Sequence, residues 1–155
     1  MNAEQKIKEL ELKLTNAPAP MGLYKPVLVV GNMAYLSGHG PLHDDKTLVT
    51  GRLGFDMDVK EGYEAARLTG RSMLSSLNLH LGSLNKVKRL VKLVGLVRST
   101  NGFNQQPAVI NGCSELMRDV FGDDAGVGAR SAIGVKALPA NMAVEIEAIF
   151  EIEVE

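Results

Sequence analysis

Apolar positions recur along the chain in blocks with distinct periods, and each period predicts an element. Ala3, Ile7, Leu10 and Leu14 return every three or four positions among Glu and Lys, which predicts a short amphipathic helix ending before Asn16 and the Pro18, Pro20 pair. Pro26 opens an apolar run at residues 27–30, Gly31 and Asn32 interrupt it, and residues 33–38 resume it. This is the pattern of a β-hairpin with a two-residue turn. Residues 40–51 are polar and turn-rich and read as a loop leading to a short strand near residues 48–53. From Asp58 onward, Tyr63, Ala66, Gly70, Met73, Leu77 and Leu81 share one helical face, and Gly82 closes the helix. Gly70 on that face lets a neighbouring element come close, at about 1 kcal/mol of helix propensity.

Residues 87–98 are rich in Val and Leu and predict a long central strand. Pro107 suits the first turn of a second helix, with Val109, Cys113, Leu116 and Val120 as its apolar stripe and Gly122 at its end. Residues 129–135 predict a strand, Leu138 and Pro139 a turn, and residues 143–154 the clearest strand of all. There Val144, Ile146, Ala148, Phe150, Ile152 and Val154 occupy one face, while Glu145, Glu147, Glu151 and Glu153 dominate the other, interrupted by Ile149. The order hairpin, helix, strand, helix, hairpin predicts an α+β two-layer sandwich, with two helices on one face of a mixed sheet. Two helices leave the other face bare, and self-association is the simplest cover, so subunit interfaces become natural places for a site.

Composition narrows the function. A length of 155 residues fits one domain, and 45% hydrophobic with 23% charged residues fits an ordinary folded protein. A formal net charge of −1 supplies no field to recruit nucleic acid or an anionic membrane. With no Trp, 3 Tyr and 4 Phe, a stacking platform for bases is not expected either. The N-terminal segment lacks the apolar run of a signal peptide, and no stretch approaches the ~18 apolar residues of a membrane span. The lone Cys113 cannot form an intrachain disulfide, which fits the cytoplasm.

Several constellations have a plain reading beside a chemical one. His39, His43, Asp44 and Asp45 could suit a divalent metal, but Pro41 between the histidines argues for a solvated loop, and no metal is expected. Ser37 lacks the G-x-S-x-G elbow and a recognisable acid partner. Lys86, Lys88, Arg89, Lys92 and Arg98 divide between two strand faces, whereas a phosphate-binding stripe wants one. The glycines of residues 122–128 follow a helix and precede a strand, the reverse of a dinucleotide-binding turn. Cys113 falls on an apolar stripe, where a thiol packs as a small hydrophobe. Arg130, at a strand start after a glycine-rich loop, can present a bidentate fork to a carboxylate. Glu145 starts the next strand, and a hairpin through Leu138 and Pro139 would bring the two side by side, as a salt bridge or as a site.

The segments Asn16-Ala-Pro-Ala-Pro-Met-Gly-Leu-Tyr24, Gly31-Asn-Met-Ala-Tyr-Leu-Ser-Gly38, Ala129-Arg-Ser-Ala-Ile-Gly-Val135, Leu138-Pro139 and Val144-Glu-Ile-Glu-Ala-Ile149 together resemble the RidA/YjgF family, once labelled endoribonuclease L-PSP. The similarity runs over residues 16–152 in the family's order, after an N-terminal helical extension at residues 1–15 and within a domain spanning 16–155. Helix residues 61–81 with Tyr63-Glu-Ala-Ala-Arg67, and Pro107-Ala-Val-Ile-Asn-Gly-Cys-Ser-Glu-Leu116, look more like a YjgF-like branch than the best characterised members.

The resemblance implies a chorismate-mutase-like fold and a homotrimer whose sheets form a central barrel, with sites in the clefts between subunits. It implies hydrolytic deamination of 2-imino or 2-enamino acids to 2-keto acids and ammonia, with no cofactor, no nucleic acid and no membrane partner. Arg130 would hold the substrate carboxylate, Glu145 would position or activate water, and Tyr24, Ser37, Gly38 and Asn111 would line the pocket. Two positions depart from the family's pattern. Its usual cysteine two places after the arginine is Ala132 here, which leaves a role only for the backbone carbonyl. Its usual glutamine after Ser-Gly is His39, a titratable group at the expected cleft mouth that could shuttle protons or reshape the pocket. Two alternatives belong to other classes: a non-catalytic trimer that binds small carboxylates or acts as a chaperone-like or regulatory protein, which would keep Arg130 without needing Glu145, and an endoribonuclease, which would need cationic surface.

Overall fold

A computed structural model describes residues 1–14 and 17–155. Thr15 and Asn16, where the expected extension meets the expected domain and where the resemblance begins, lie outside the described residues. The elements run α1 (Ala3–Glu9), β1 (Val27–Val30), β2 (Met33–His39), α2 (Val59–Leu81), β3 (Val87–Arg98), α3 (Gln106–Phe121), β4 (Ala129–Val135) and β5 (Val144–Ile152). Local chemistry sets their ends. Asp58 caps α2 through a capping box with Glu61, and Gly82 closes it in the left-handed region at φ 81°. Helix α1 opens on a similar box between Asn2 and Gln5 but stops at Glu9, short of the apolar stripe, because Glu11 turns to φ 54°. Leu10 and Leu14 still pack against the core.

The five strands form one mixed sheet in the order β1-β2-β5-β3-β4, with β4 parallel to β3 and every other pair antiparallel. Helices α2 and α3 cover one face, over a core of Leu93, Val97, Ile146, Phe150, Met73, Leu77, Ile110 and Leu116. The helices press together at two glycines. A Cβ on Gly112 would stand 2.0 Å from the Tyr63 carbonyl oxygen, and one on Gly70 would stand 2.9 Å from Leu116. Gly70 therefore does what its place on the stripe predicts, while Gly112 is the tighter contact.

Three expectations are corrected. Residues 48–53 form isolated bridges, Leu42 with Leu48, Thr50 with Met142 and Leu53 with Ser99, and no strand. Strand β5 ends at Ile152, leaving Val154 outside it and 61% exposed. The last two strands are not a hairpin. The β3-α3-β4 unit needs a crossover helix and so makes parallel neighbours, which sends β4 to the sheet edge. Strand β5 then takes the slot between β2 and β3.

The second sheet face is not covered by any described element. Leu28, Val30, Tyr35 and Ile133 stand on it at 45%, 58%, 42% and 48% exposure. Leu28, Val30 and Tyr35 cluster on β1 and β2, with Ile133 at the opposite edge, and an apolar cluster of that kind is a candidate interaction surface.

Candidate functional site

Arg130 lies abreast of Leu93 on β3, whose side chain is buried beneath the helices, so the arginine rises on the helix side of the edge strand. Its Nη1 donates to Asn111 Oδ1 at 2.7 Å and to Ser114 Oγ at 3.1 Å, both on α3. These neutral partners fix the guanidinium without neutralising it. Among the described residues no carboxylate lies within ion-pair distance of Arg130, and the residue is solvent-exposed. It lines a pocket of about 280 Å³ between α3 and β4 with Asn111, Ser114, Glu115 and Arg118. Ala132, two places on, lies abreast of Gly95 on the same side and packs against the core.

Glu145 is placed differently. It lies abreast of Leu96, on the sheet face away from the helices, and β3 separates its strand from that of Arg130. The expected hairpin contact between the two is therefore absent: within one chain Arg130 and Glu145 occupy opposite faces and form no salt bridge. Glu145 rests on Gly38, where an added Cβ would meet its carboxylate oxygen at 2.7 Å. Burial, with Glu147 on the same face, pushes the Glu145 carboxyl above its ordinary value.

Ser37 and Gly38 form a β-bulge, since Leu36 pairs with Ala148 and His39 with Ile146, leaving two residues opposite Glu147. Ser37 Oγ donates to the Lys25 carbonyl at 2.7 Å and so ties the segment before β1 to β2. Tyr24 and Ser37 line a hollow of about 490 Å³ on the open face, together with Tyr35, Lys92, Glu147 and Ile149. Tyr24 Oη accepts from the Met21 amide at 3.1 Å, which leaves its hydroxyl proton free to donate.

The bulge also redirects His39. Strict alternation from Tyr35 and Ser37 would put His39 on the open face, but one extra residue inverts the register and turns it under α2. There it is 3% exposed. Its Nδ1 donates to the Ser37 carbonyl at 2.6 Å, and Ser76 Oγ donates to its Nε2 at 2.8 Å. Burial keeps its pKa below the ordinary value. The ring is a neutral, satisfied core group in this chain, not a residue at a cleft mouth.

The other constellations resolve plainly. His43 lines a separate hollow and Asp44 pairs with Arg71 at 2.9 Å, and among the described residues no three metal-ligating side chains converge. Cys113 is fully buried, its thiol pushed up to about 12, with Met73 Sδ 4.0 Å away. Of the basic run, Lys88 reaches Glu151, Arg89 reaches Asp124 and Arg98 reaches the Gly51 carbonyl. Sequence reasoning missed Ser114, Glu115 and Arg118. They share a face of α3 with Asn111 at helical spacing, but a polar stripe on a helix reads first as solvated surface.

The fold and the site together define a class: a two-layer α+β sandwich with an unneutralised guanidinium at one sheet edge and a half-buried carboxyl on a bare sheet face. The model of the YjgF/chorismate-mutase-like family, whose description attaches an endoribonuclease label, matches residues 4–151, and the chain belongs to this family. Protein TCP17 of Trypanosoma cruzi is 39% identical over 146 residues, 94% of this chain and 91% of that protein. The 2-iminobutanoate/2-iminopropanoate deaminase of Dermatophagoides farinae is 29% identical over 138 residues, 88% of this chain and 91% of that enzyme. The crystal structure of Atu1372 from Agrobacterium tumefaciens, a protein of unknown function, superposes with a TM-score of 0.88 at 40% identity, covering 98% of this chain and 94% of that one. No helix among the described residues is long and apolar enough to cross a membrane.

Proposed function

We propose that this protein hydrolyses reactive 2-imino acids, and their 2-enamino tautomers, to 2-keto acids and ammonia. The observation that carries the reading is Arg130, a charged fork held by Asn111 and Ser114 with no carboxylate within ion-pair distance among the described residues. Such a group is ready for a ligand carboxylate.

The chemistry asks little of the protein. In R–C(=NH2+)–COO−, the protonated nitrogen makes C2 electrophilic. Arg130 holds the carboxylate, and a water adds to C2 while one of its protons passes to a base. The C–N bond then breaks, nitrogen leaves as ammonia, and C2 becomes the ketone as the remaining hydroxyl proton passes to the base and on to solvent. Glu145, its carboxyl raised toward neutrality by burial and Glu147, is suited to take that proton and return it to the departing nitrogen. Gly38 leaves the room in which that carboxylate sits.

Arg130 and Glu145 lie on opposite faces of one chain, so we infer that a working site combines Arg130, Asn111 and the Ala132 backbone of one subunit with Glu145, Gly38, Ser37 and Tyr24 of another. A closed homotrimer that stacks its bare sheet faces inward would do this and would cover Leu28, Val30, Tyr35 and Ile133. A buried, lone cysteine suits a reducing compartment such as the cytoplasm. A net charge of −1 weighs against an RNA substrate.

The test is hydrolysis of freshly generated 2-iminopropanoate and 2-iminobutanoate against the spontaneous rate. Acceleration by the wild type is expected, with kcat/KM falling about 10³-fold in Arg130→Ala, since two charge-assisted hydrogen bonds are lost. A folded oligomer that accelerates neither substrate would overturn the deaminase reading and leave a carboxylate-binding protein.

A further inference from the structure

The pocket between α3 and β4 holds more charge than a simple monocarboxylate requires. Arg118 and Glu115 of α3 line it together with Arg130 of β4. We propose that this pocket selects 2-imino dicarboxylates of about four or five carbons, with the first carboxylate on Arg130 and the distal one on Arg118. The substrate class rests on the deaminase reading above, while the preference for a second carboxylate stands apart from it.

Spacing supports the assignment. Asn111 and Ser114 pin the Arg130 guanidinium over one turn of α3. Arg118 leaves the same helix four residues after Ser114, about 6 Å further along its axis. An extended chain of three or four bonds sets two carboxyl carbons about 4–5 Å apart, and their oxygens extend the reach to a similar interval. The pocket, at about 280 Å³, has room for a five-carbon dicarboxylate.

Charge supports it further. The pocket presents two guanidiniums, Arg130 and Arg118, and one carboxylate, Glu115. A protonated 2-imino dicarboxylate presents negative, positive and negative groups in turn, so each meets its opposite. Glu115 is held by the Tyr63 hydroxyl, which donates to it from α2 and fixes its position. Arg118 is available. Its carboxylate partner is the adjacent, partly exposed Asp119 at 3.2 Å, which is shared with Arg67 at 3.8 Å. Surface pairs of this kind exchange readily for a better-placed anion. Loss of the imino nitrogen on hydrolysis removes the positive centre that Glu115 favours, which promotes release of the keto product.

The experiment compares 2-iminoglutarate with 2-iminobutanoate, each generated fresh from its amino acid, using the full chain. The wild type is expected to favour the dicarboxylate in kcat/KM by about tenfold or more, and Arg118→Gln to lower that ratio about tenfold, chiefly through KM for the dicarboxylate. Arg118→Lys is expected to keep part of the preference. In parallel, calorimetry measures binding of the stable probes 2-oxoglutarate and 2-oxobutanoate to both proteins, with a circular dichroism melt to check folding. Hydrolysis without preference, or a ratio unmoved by Arg118→Gln, overturns the dicarboxylate pocket and leaves the deaminase reading intact. Arg118-dependent preference for 2-oxoglutarate without hydrolysis of either imino acid does the reverse. If neither imino acid is hydrolysed and neither probe binds, both readings fall.

Discussion

Arg130 and Glu145 are supported in opposite ways. The arginine is exposed at a sheet edge and held by two neutral side chains from a neighbouring helix. The glutamate is half-buried on a glycine of a bulged strand, on the bare face of the sheet. The guanidinium has no ion-pair partner among the described residues, and the carboxyl is pushed toward neutrality by partial burial and by Glu147. In the reaction proposed above, the first environment suits an anchor for the substrate carboxylate and the second a proton carrier.

The sharpest way to break this comparison is to separate the halves onto different chains. Arg130→Ala and Glu145→Gln are each expected to be nearly inactive. Unfolding and refolding them as an equal mixture should restore activity to about a quarter of the wild type, because one site in four of a random closed trimer joins two intact halves. Rescue would show in a simple imino-acid hydrolysis assay after mixing. Its absence, with oligomers formed, would mean that the two residues do not meet across subunits.

Gly38→Ala tests the glutamate half alone. The new methyl would sit 2.7 Å from the Glu145 carboxylate oxygen and displace it. A fall of about tenfold in kcat is expected, with KM nearly unchanged, since Arg130 is untouched. An equal rise in KM would place Gly38 in carboxylate binding instead.

The smallest effect concerns stability. Burial and Glu147 let folded Glu145 keep its proton to higher pH than the unfolded chain does. The folded state therefore binds more protons in that interval, and stability falls as pH rises from the usual carboxylate value through the raised one. Glu145→Gln removes this loss. It is expected to melt about 1–3 °C above the wild type near pH 7 and level with it near pH 3. A variant less stable at both values would mean that the carboxylate is a structural partner.

The periods of the sequence located most of the fold. The bounds of α2, β3 and β4 follow from Asp58 and Gly82, from the Val and Leu run, and from the glycines before Ala129. Periodicity says which side of its own strand a residue takes, but not which strand lies beside it. Arg130 and Glu145 were therefore legible as residues and illegible as a pair, because β5 inserts beside β2 rather than β4. His39 was misplaced for a related reason. A single uncounted residue at the Ser37–Gly38 bulge inverts everything after it. The Glu115 and Arg118 stripe was hidden by resemblance to ordinary helix surface, and only the pocket over it distinguishes the two.

Strand β5 occupies the middle of the sheet although it comes last in the chain. While the polypeptide is emerging from the ribosome, the β1–β2 hairpin and the β3-α3-β4 unit can each form, yet neither has a neighbour to pair with until residue 152 is free. The inner edge of β2 is therefore unpaired from residue 39 onward and that of β3 from residue 98 onward, until β5 follows. Chaperone protection matters most in the interval between β3 and β5, when both edges stand open together.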